Sequence, residues 1–245
     1  MLSLFDKISV SKHAVFFIFL ALLVYVLYVF TSQSKQIKNK FIEKLGSQKT
    51  KIYWILFQRG VGVFLYGFIP AFVSLMFFQI KISSYGLSFD NFSDSLYWTL
   101  GISAFIIPFS ILNARNPNHQ KKYPQIQAET WSLGLVFLSA SSWIAYLFAY
   151  ELLLRGLLFF SCLRSFGLWT AVIINISIYA LFHLHKNFRE IIGSVLLGLV
   201  FCLITYKTGT IWTAFFAHTV LALSSEWASL FLNPEMKIRR FGNKK

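Results

Sequence analysis

The sequence predicts an all-α, polytopic membrane protein, a transmembrane bundle of about seven spanning helices. Three observations carry this. Hydrophobic residues make up 56% of the 245 and charged residues only 13%, about half the ~25% of an ordinary soluble domain. Mean hydropathy is +0.61, more apolar surface than a folded soluble chain of this length can hide. The apolar residues also gather into long runs separated by basic stretches, as expected of a chain whose solvent is lipid.

The runs cover residues 13–31, 52–80, 96–112, 131–160, 168–183, 191–206 and 211–232. Backbone N–H and C=O groups in lipid have no water to bond, so each run must satisfy its own as a helix. A crossing takes about 20 residues. The second and fourth runs exceed this, so those helices tilt, kink or leave the bilayer. The first run has a basic start but no small-residue cleavage pattern, and reads as an uncleaved membrane helix.

The formal charge of +14 does not imply nucleic acid. The Lys and Arg residues fall in the connections, where they face anionic lipid, and no basic, aromatic-interleaved soluble face is present. Sixteen of them lie in 35–51, 115–122, 186–189 and the tail from 237, against five (Lys7, Lys12, Lys81, Arg164 and Lys207) in the alternate connections. The positive-inside rule then places the N-terminus outside and the C-terminus in the cytoplasm. The stretch 115–124 separates three leading helices from four that follow. The expected organisation is an N-terminal membrane region over 1–125, a core over 126–235 and a basic cytoplasmic tail over 236–245. Cys162 and Cys202 sit in apolar runs with no zinc or disulfide spacing and read as small buried hydrophobes.

The informative residues are the ionisable ones inside apolar runs, which cost about 2.5–3.5 kcal/mol each to insert. Glu151 and Arg155 in the fourth run are four apart and can pair on one helix face. Tyr179 and His183 in the fifth share a face in the same way. His185, rotated about 200° from His183, reads as interfacial. His218 lies well inside the seventh run, followed by Ser225 and Glu226. Arg59 in the second run is near a helix end, where it can snorkel. One acid and two imidazoles on three helices allow several chemistries. A carboxylate can take a proton from water while imidazoles polarise a carbonyl or hold an oxyanion. Two imidazoles and a carboxylate are also a catalytic zinc set, although no His-Glu-x-x-His run is present. A purely structural ion pair is the third alternative.

At these residues the sequence resembles the CPBP family (CAAX protease and bacteriocin-processing, also called Abi). Its first motif, Glu-Glu-x-x-x-Arg followed by Gly, is matched by Glu151, Arg155 and Gly156, with Tyr150 in place of the first Glu. Its second, Phe-x-x-x-His, is matched by Tyr179 and His183. Its third, His-x-x-x-Asn or Asp, is matched at His218, with Ala222 at the last position. The segments Gly193–Gly198 and Lys207–Trp212 resemble the family's link between motifs two and three. The likeness covers about 131–225.

The resemblance implies an intramembrane endopeptidase acting on a peptide or membrane-protein substrate in the lipid bilayer, in the cytoplasmic membrane of a bacterium. Glu151 would activate water, with His183, and His218 would hold the oxyanion. Arg155 would keep Glu151 ionised and oriented, with Tyr150 and Tyr179 supporting. No Ser or Cys nucleophile and no cofactor is implied, a divalent metal such as zinc being the alternative. The rival reading is a non-catalytic relative that binds a peptide or bacteriocin, favoured by Tyr150 and Ala222. A proton-relay transporter ranks last, since inverted repeats are lacking. The sequence does not specify an oligomeric state. Depth sets one further condition. Counted from Trp131, Glu151 falls in the outer half of its helix and His183 near the inner end of the next, so they meet only if the fourth helix starts later, tilts or breaks near Ser139–Ser142.

Overall fold

The protein is described by a computed structural model covering residues 4–78, 81–184, 186 and 188–239. It is an all-α bundle: α1 (Leu4–Ser32), α2 (Lys35–Phe77), α3 (Phe92–Ala114), α4 (Leu133–Phe166), α5 (Leu168–Leu181), α6 (Phe188–Thr208) and α7 (Trp212–Leu232). Six are long and apolar enough to cross a membrane, and α5 is a shorter apolar helix. Phe77, Phe105, Phe137 and Phe231 are exposed around the bundle, which lipid tolerates and water does not. His185 lies outside the described residues, as does the tail beyond Arg239.

The long second run is explained by a helical hairpin followed by a span. Gly46 has φ +76°, outside the helical region, and the Phe41 ring lies 5.6 Å from Trp54 and 5.3 Å from Phe57. A continuous helix would separate these pairs by about 20 Å or more. The basic stretch 35–51 is therefore two antiparallel arms rather than an irregular loop. Within α2, Pro70 cannot donate to the preceding turn and its ring crowds that turn's carbonyl. The helix absorbs this by widening into a π turn over Val63–Phe68.

Close packing rests on small residues. The buried face of α3 is Ser95, Thr99, Ser103, Ile106, Ser110 and Ala114, laid along α7. Ser95 bonds Thr210 at 2.8 Å, Thr213 donates to the Ser95 carbonyl at 3.1 Å, and Ser224 bonds Ser110 at 2.9 Å. Small polar residues let lipid-embedded helices approach and bond. Gly67 does the same for α2 and α4, since a Cβ there would stand 2.8 Å from Ala149 Cβ.

Trp131 belongs to a strand, not to α4. Residues Thr130–Ser132 (β1) pair in parallel with Lys237–Arg239 (β2), and Ser132 caps α4 by accepting from Leu135 N at 3.1 Å. This patch lies at the end of the bundle that carries the ion pairs Lys51–Glu129, Lys122–Glu190 and Lys186–Glu190. The opposite end is closed by the 82–91 connection, where Gly86 O accepts from Ile211 N at 3.0 Å and Ser88 O from Trp212 Nε1 at 2.8 Å.

Gly67→Leu forces the α2–α4 contact apart, and overpacking of this kind costs about 1–3 kcal/mol. Thermal unfolding in detergent should show a lowered midpoint for Gly67→Leu and little change for Gly101→Leu, since nothing lies within 4 Å of a Cβ at Gly101.

Candidate active site

α4 does not break at Ser139–Ser142. It runs unbroken to Glu151 and then widens into a π turn over Leu152–Phe159, a feature that helices often carry at functional sites. The turn is held by α5, whose Asn175 Nδ2 donates to Leu154 O at 2.6 Å while its Oδ1 accepts from Cys202 Sγ at 3.2 Å. The chain reverses at Gly167, so depth is set by the α4–α5 hairpin rather than by the start of α4. Leu154 lies level with Asn175, and Arg155 level with Tyr179.

Glu151 is completely buried; its Oε1 is hydrogen-bonded, and its Oε2 is ion-paired without a hydrogen-bond partner. Oε2 faces Arg155 Nη1 at 3.0 Å, one turn along the same helix. Oε1 faces His218 Nδ1 on α7 at 2.6 Å. The Arg155 guanidinium lies over the Tyr179 ring, 4.2 Å from its centroid, with Phe201 at 5.5 Å. A cation–π face lowers the cost of burying this charge. Gly198 on α6 makes the room: a Cβ there would stand 2.9 Å from Tyr179 and 3.6 Å from Arg155 Nη2.

His183 is placed through Tyr179. It lies one turn beyond Tyr179, edge-on to that ring at 4.7 Å, and its Nδ1 lies 2.8 Å from Tyr179 O. A carbonyl oxygen only accepts, so Nδ1 carries the proton. Tyr179 in turn lies 6.4 Å from His218. The three sequence-nominated residues thus form a chain of contacts, Glu151 to His218 and His218 through Tyr179 to His183. Tyr150 stands in its midst, its ring 5.8 Å from both His218 and Tyr179. The Tyr150 hydroxyl is buried and has no hydrogen-bond partner. Ala222, at the third motif's last position, packs against Trp143 and Leu147. Among the described residues, no group of three His, Cys, Asp or Glu side chains is placed to hold a metal ion.

Residues 123–224 match the family model of the Rce1-like type II CAAX prenyl endopeptidases. This agrees with the CPBP resemblance carried by the motifs. The Rce1-like segment contains Glu151, Arg155, Tyr179, His183 and His218. Together with the spanning helices it supports an intramembrane endopeptidase. No curated protein and no solved structure matches the chain.

A second buried pair was not legible as such in the sequence. Arg59 does not snorkel: it is 3% exposed, and its Nη2 lies 3.5 Å from Glu226 Oε1, itself 1% exposed. Glu226 also accepts from Ser139 Oγ at 2.8 Å, Trp143 Nε1 at 3.1 Å and Gln125 N at 3.2 Å. Arg59 Nη1 donates to Ser139 O at 2.9 Å and Ser142 Oγ at 2.8 Å, and its charge lies 4.2 Å from the Trp143 ring centroid. The available signal was the lone Glu226 inside the last apolar run. Its partner could not be read, because it lies 167 residues away. From here Trp143, Tyr146 and Tyr150 form a ladder along α4, with ring separations of 5.9 and 6.0 Å, joining the ionic anchor to the Glu151 cluster.

Removing one member of a buried pair strands the other charge, at a cost of about 3–5 kcal/mol. Arg59→Met and Glu226→Gln should each lower the unfolding midpoint strongly. The double variant should recover much of the loss, measured as a double-mutant cycle in detergent.

Proposed function

We propose that this chain is an intramembrane endopeptidase of the CPBP type, in which Glu151 and His218 act as one proton-accepting pair toward an attacking water. The observation that supports this best is the 2.6 Å contact between Glu151 Oε1 and His218 Nδ1. A carboxylate facing a guanidinium only accepts, so His218 Nδ1 carries the proton and Nε2 is the basic edge of the ring. Glu151 then fixes the tautomer and stabilises the imidazolium that forms, as the acid does in a catalytic triad. Exposure favours the same division of labour. Glu151 has none, whereas His218 is 14% exposed, so water and peptide meet the imidazole first.

Arg155 orients Glu151 and stays out of the reaction. His183, with its Nδ1 proton held by Tyr179 O, presents Nε2 as an acceptor that orients the attacking water, and the Tyr150 hydroxyl supplies a donor for the tetrahedral oxyanion. This differs from the role expected from the motifs, where His218 alone held the oxyanion. Its direct contact with the carboxylate favours the shared role. The substrate is a peptide or membrane-protein segment entering from lipid. The catalytic unit is 126–235, carried by the membrane region 1–125. The basic end of the bundle faces the cytoplasm of a bacterial cell, with the C-terminus inside.

The test is turnover of a peptide library by protein reconstituted in lipid. Glu151→Gln should remove activity by about 10³-fold or more, since it abolishes the tautomer control and the charge together. Tyr150→Phe, which deletes one hydrogen bond, should lower it by about tenfold. Cleavage that persists undiminished in Glu151→Gln contradicts the mechanism. Cleavage that appears only in Tyr150→Glu identifies a binding protein with a lapsed site.

Activity should also persist in strong chelator. Loss on chelation with recovery on adding zinc would assign Glu151 and His218 to a metal instead.

A further inference from the structure

We propose that the basic helical hairpin 35–57 is a docking surface for anionic phospholipid headgroups, selective for their charge. The hairpin begins where α1 ends. Ser34 caps the new arm by accepting from Ile37 N at 3.3 Å. The second arm continues into the spanning part of α2, and Gln58 Nε2 donates to Ser32 O at 2.6 Å, fixing the base of the hairpin beside the end of α1. The helix from 47 to 77 is about 46 Å long at 1.5 Å per residue, against a hydrocarbon core of about 30 Å. About 10 residues of the second arm, and the first arm packed on them, are therefore left at the edge of the hydrocarbon core.

The two arms differ in how they are covered. The second buries Thr50 and Trp54 and sends Ile52 and Ile55 into the Trp131 cluster. The first packs on the second through Phe41 and leaves the rest of its surface open. Between 35 and 51 the chain has six Lys and one acid, Glu43. Lys51 pairs with Glu129 at 3.9 Å. Lys35, Lys38, Lys40, Lys44 and Lys49 are exposed and have no ion pair among the described residues.

What decides the occupant is the mixture on one flank. At 100° per residue, Lys35, Lys38, Ile42 and Leu45 fall within about 80° of one another. Ile42 is 41% exposed and Leu45 37%. Ammonium groups interleaved with free aliphatic side chains, at the edge of a bilayer, fit phosphate headgroups above acyl chains. An acidic soluble peptide would use the charges and leave Ile42 and Leu45 in water. The end of the bundle supplies continuity, since the other basic connections lie on the same side.

The test uses the full chain in nanodiscs. Cys162 and Cys202 are fully buried, so a fluorophore attached through Ser47→Cys at the exposed tip labels one site. Its quenching by headgroup-spin-labelled lipid is compared in zwitterionic discs and in discs with about 30% phosphatidylglycerol. Quenching should be at least about threefold stronger in the anionic discs, and salt of about 0.5 M should remove most of the difference by screening. Lys35→Gln/Lys38→Gln should abolish the difference, and Lys35→Arg/Lys38→Arg should keep it, which separates charge loss from misfolding. Equal quenching in both lipids overturns the proposal. So does a response to added polyglutamate in zwitterionic discs without a response to anionic lipid, which would assign the hairpin to an acidic protein partner.

Discussion

A carboxylate with no solvent exposure inside a membrane helix must find its partners within the bundle, and Glu151 finds a counter-charge in Arg155 and a hydrogen-bond donor in His218. The rest of the architecture follows from accommodating that group. Arg155 is itself fully buried, so its desolvation has to be offset in turn, and the Tyr179 face offsets part of it. Tyr179 fits because Gly198 leaves no side chain in its place. Within the π turn after Glu151, Leu154 O accepts a hydrogen bond from Asn175 Nδ2. Four helices are thereby committed to positioning one acid.

The Arg59–Glu226 pair applies the same logic at the basic end of the bundle. There the charges are neutralised by each other and by hydroxyls, an indole N–H and a backbone N–H, and Arg59 Nε is left without a hydrogen-bond partner. The contrast between the two sites is instructive. Glu226 is surrounded by donors that hold it still. Glu151 touches an imidazole that can move a proton, and a buried tyrosine hydroxyl beside it lacks a partner. Satisfied buried polar networks rigidify, while an orphaned group costs about 1–3 kcal/mol unless something arrives to meet it.

Much of this was written in the sequence, because lipid makes the code simple. Apolar runs give the helices, and an ionisable residue inside one stands out. Glu151, Arg155, His183 and His218 were visible for that reason, and the four-residue spacing of Glu151 and Arg155 gave their pairing. What could not be read is what depends on register between distant segments. Arg59 reads as a snorkelling residue because its partner lies five helices further along the chain. The depth of Glu151 relative to His183 cannot be counted from Trp131, which sits in a strand just before α4, because the turn at Gly167 between α4 and α5 sets it. The π turn in α4 has no proline to announce it, unlike the one before Pro70. The basic stretch reads only as a connection because a single glycine, Gly46, does not announce the turn of a hairpin.

The central claim is that Glu151 and His218 are one hydrogen-bonded unit. Nitrogen NMR of ¹⁵N-histidine-labelled protein in lipid at neutral pH tests it most directly, with the His218 signals assigned by their absence in His218→Gln. The account predicts a neutral His218 protonated at Nδ1, with its proton in a strong hydrogen bond, and a clear shift of both ring nitrogens in Glu151→Gln. A His218 spectrum that shows Nε2 protonated, or that is unchanged when Glu151 is replaced, would contradict it.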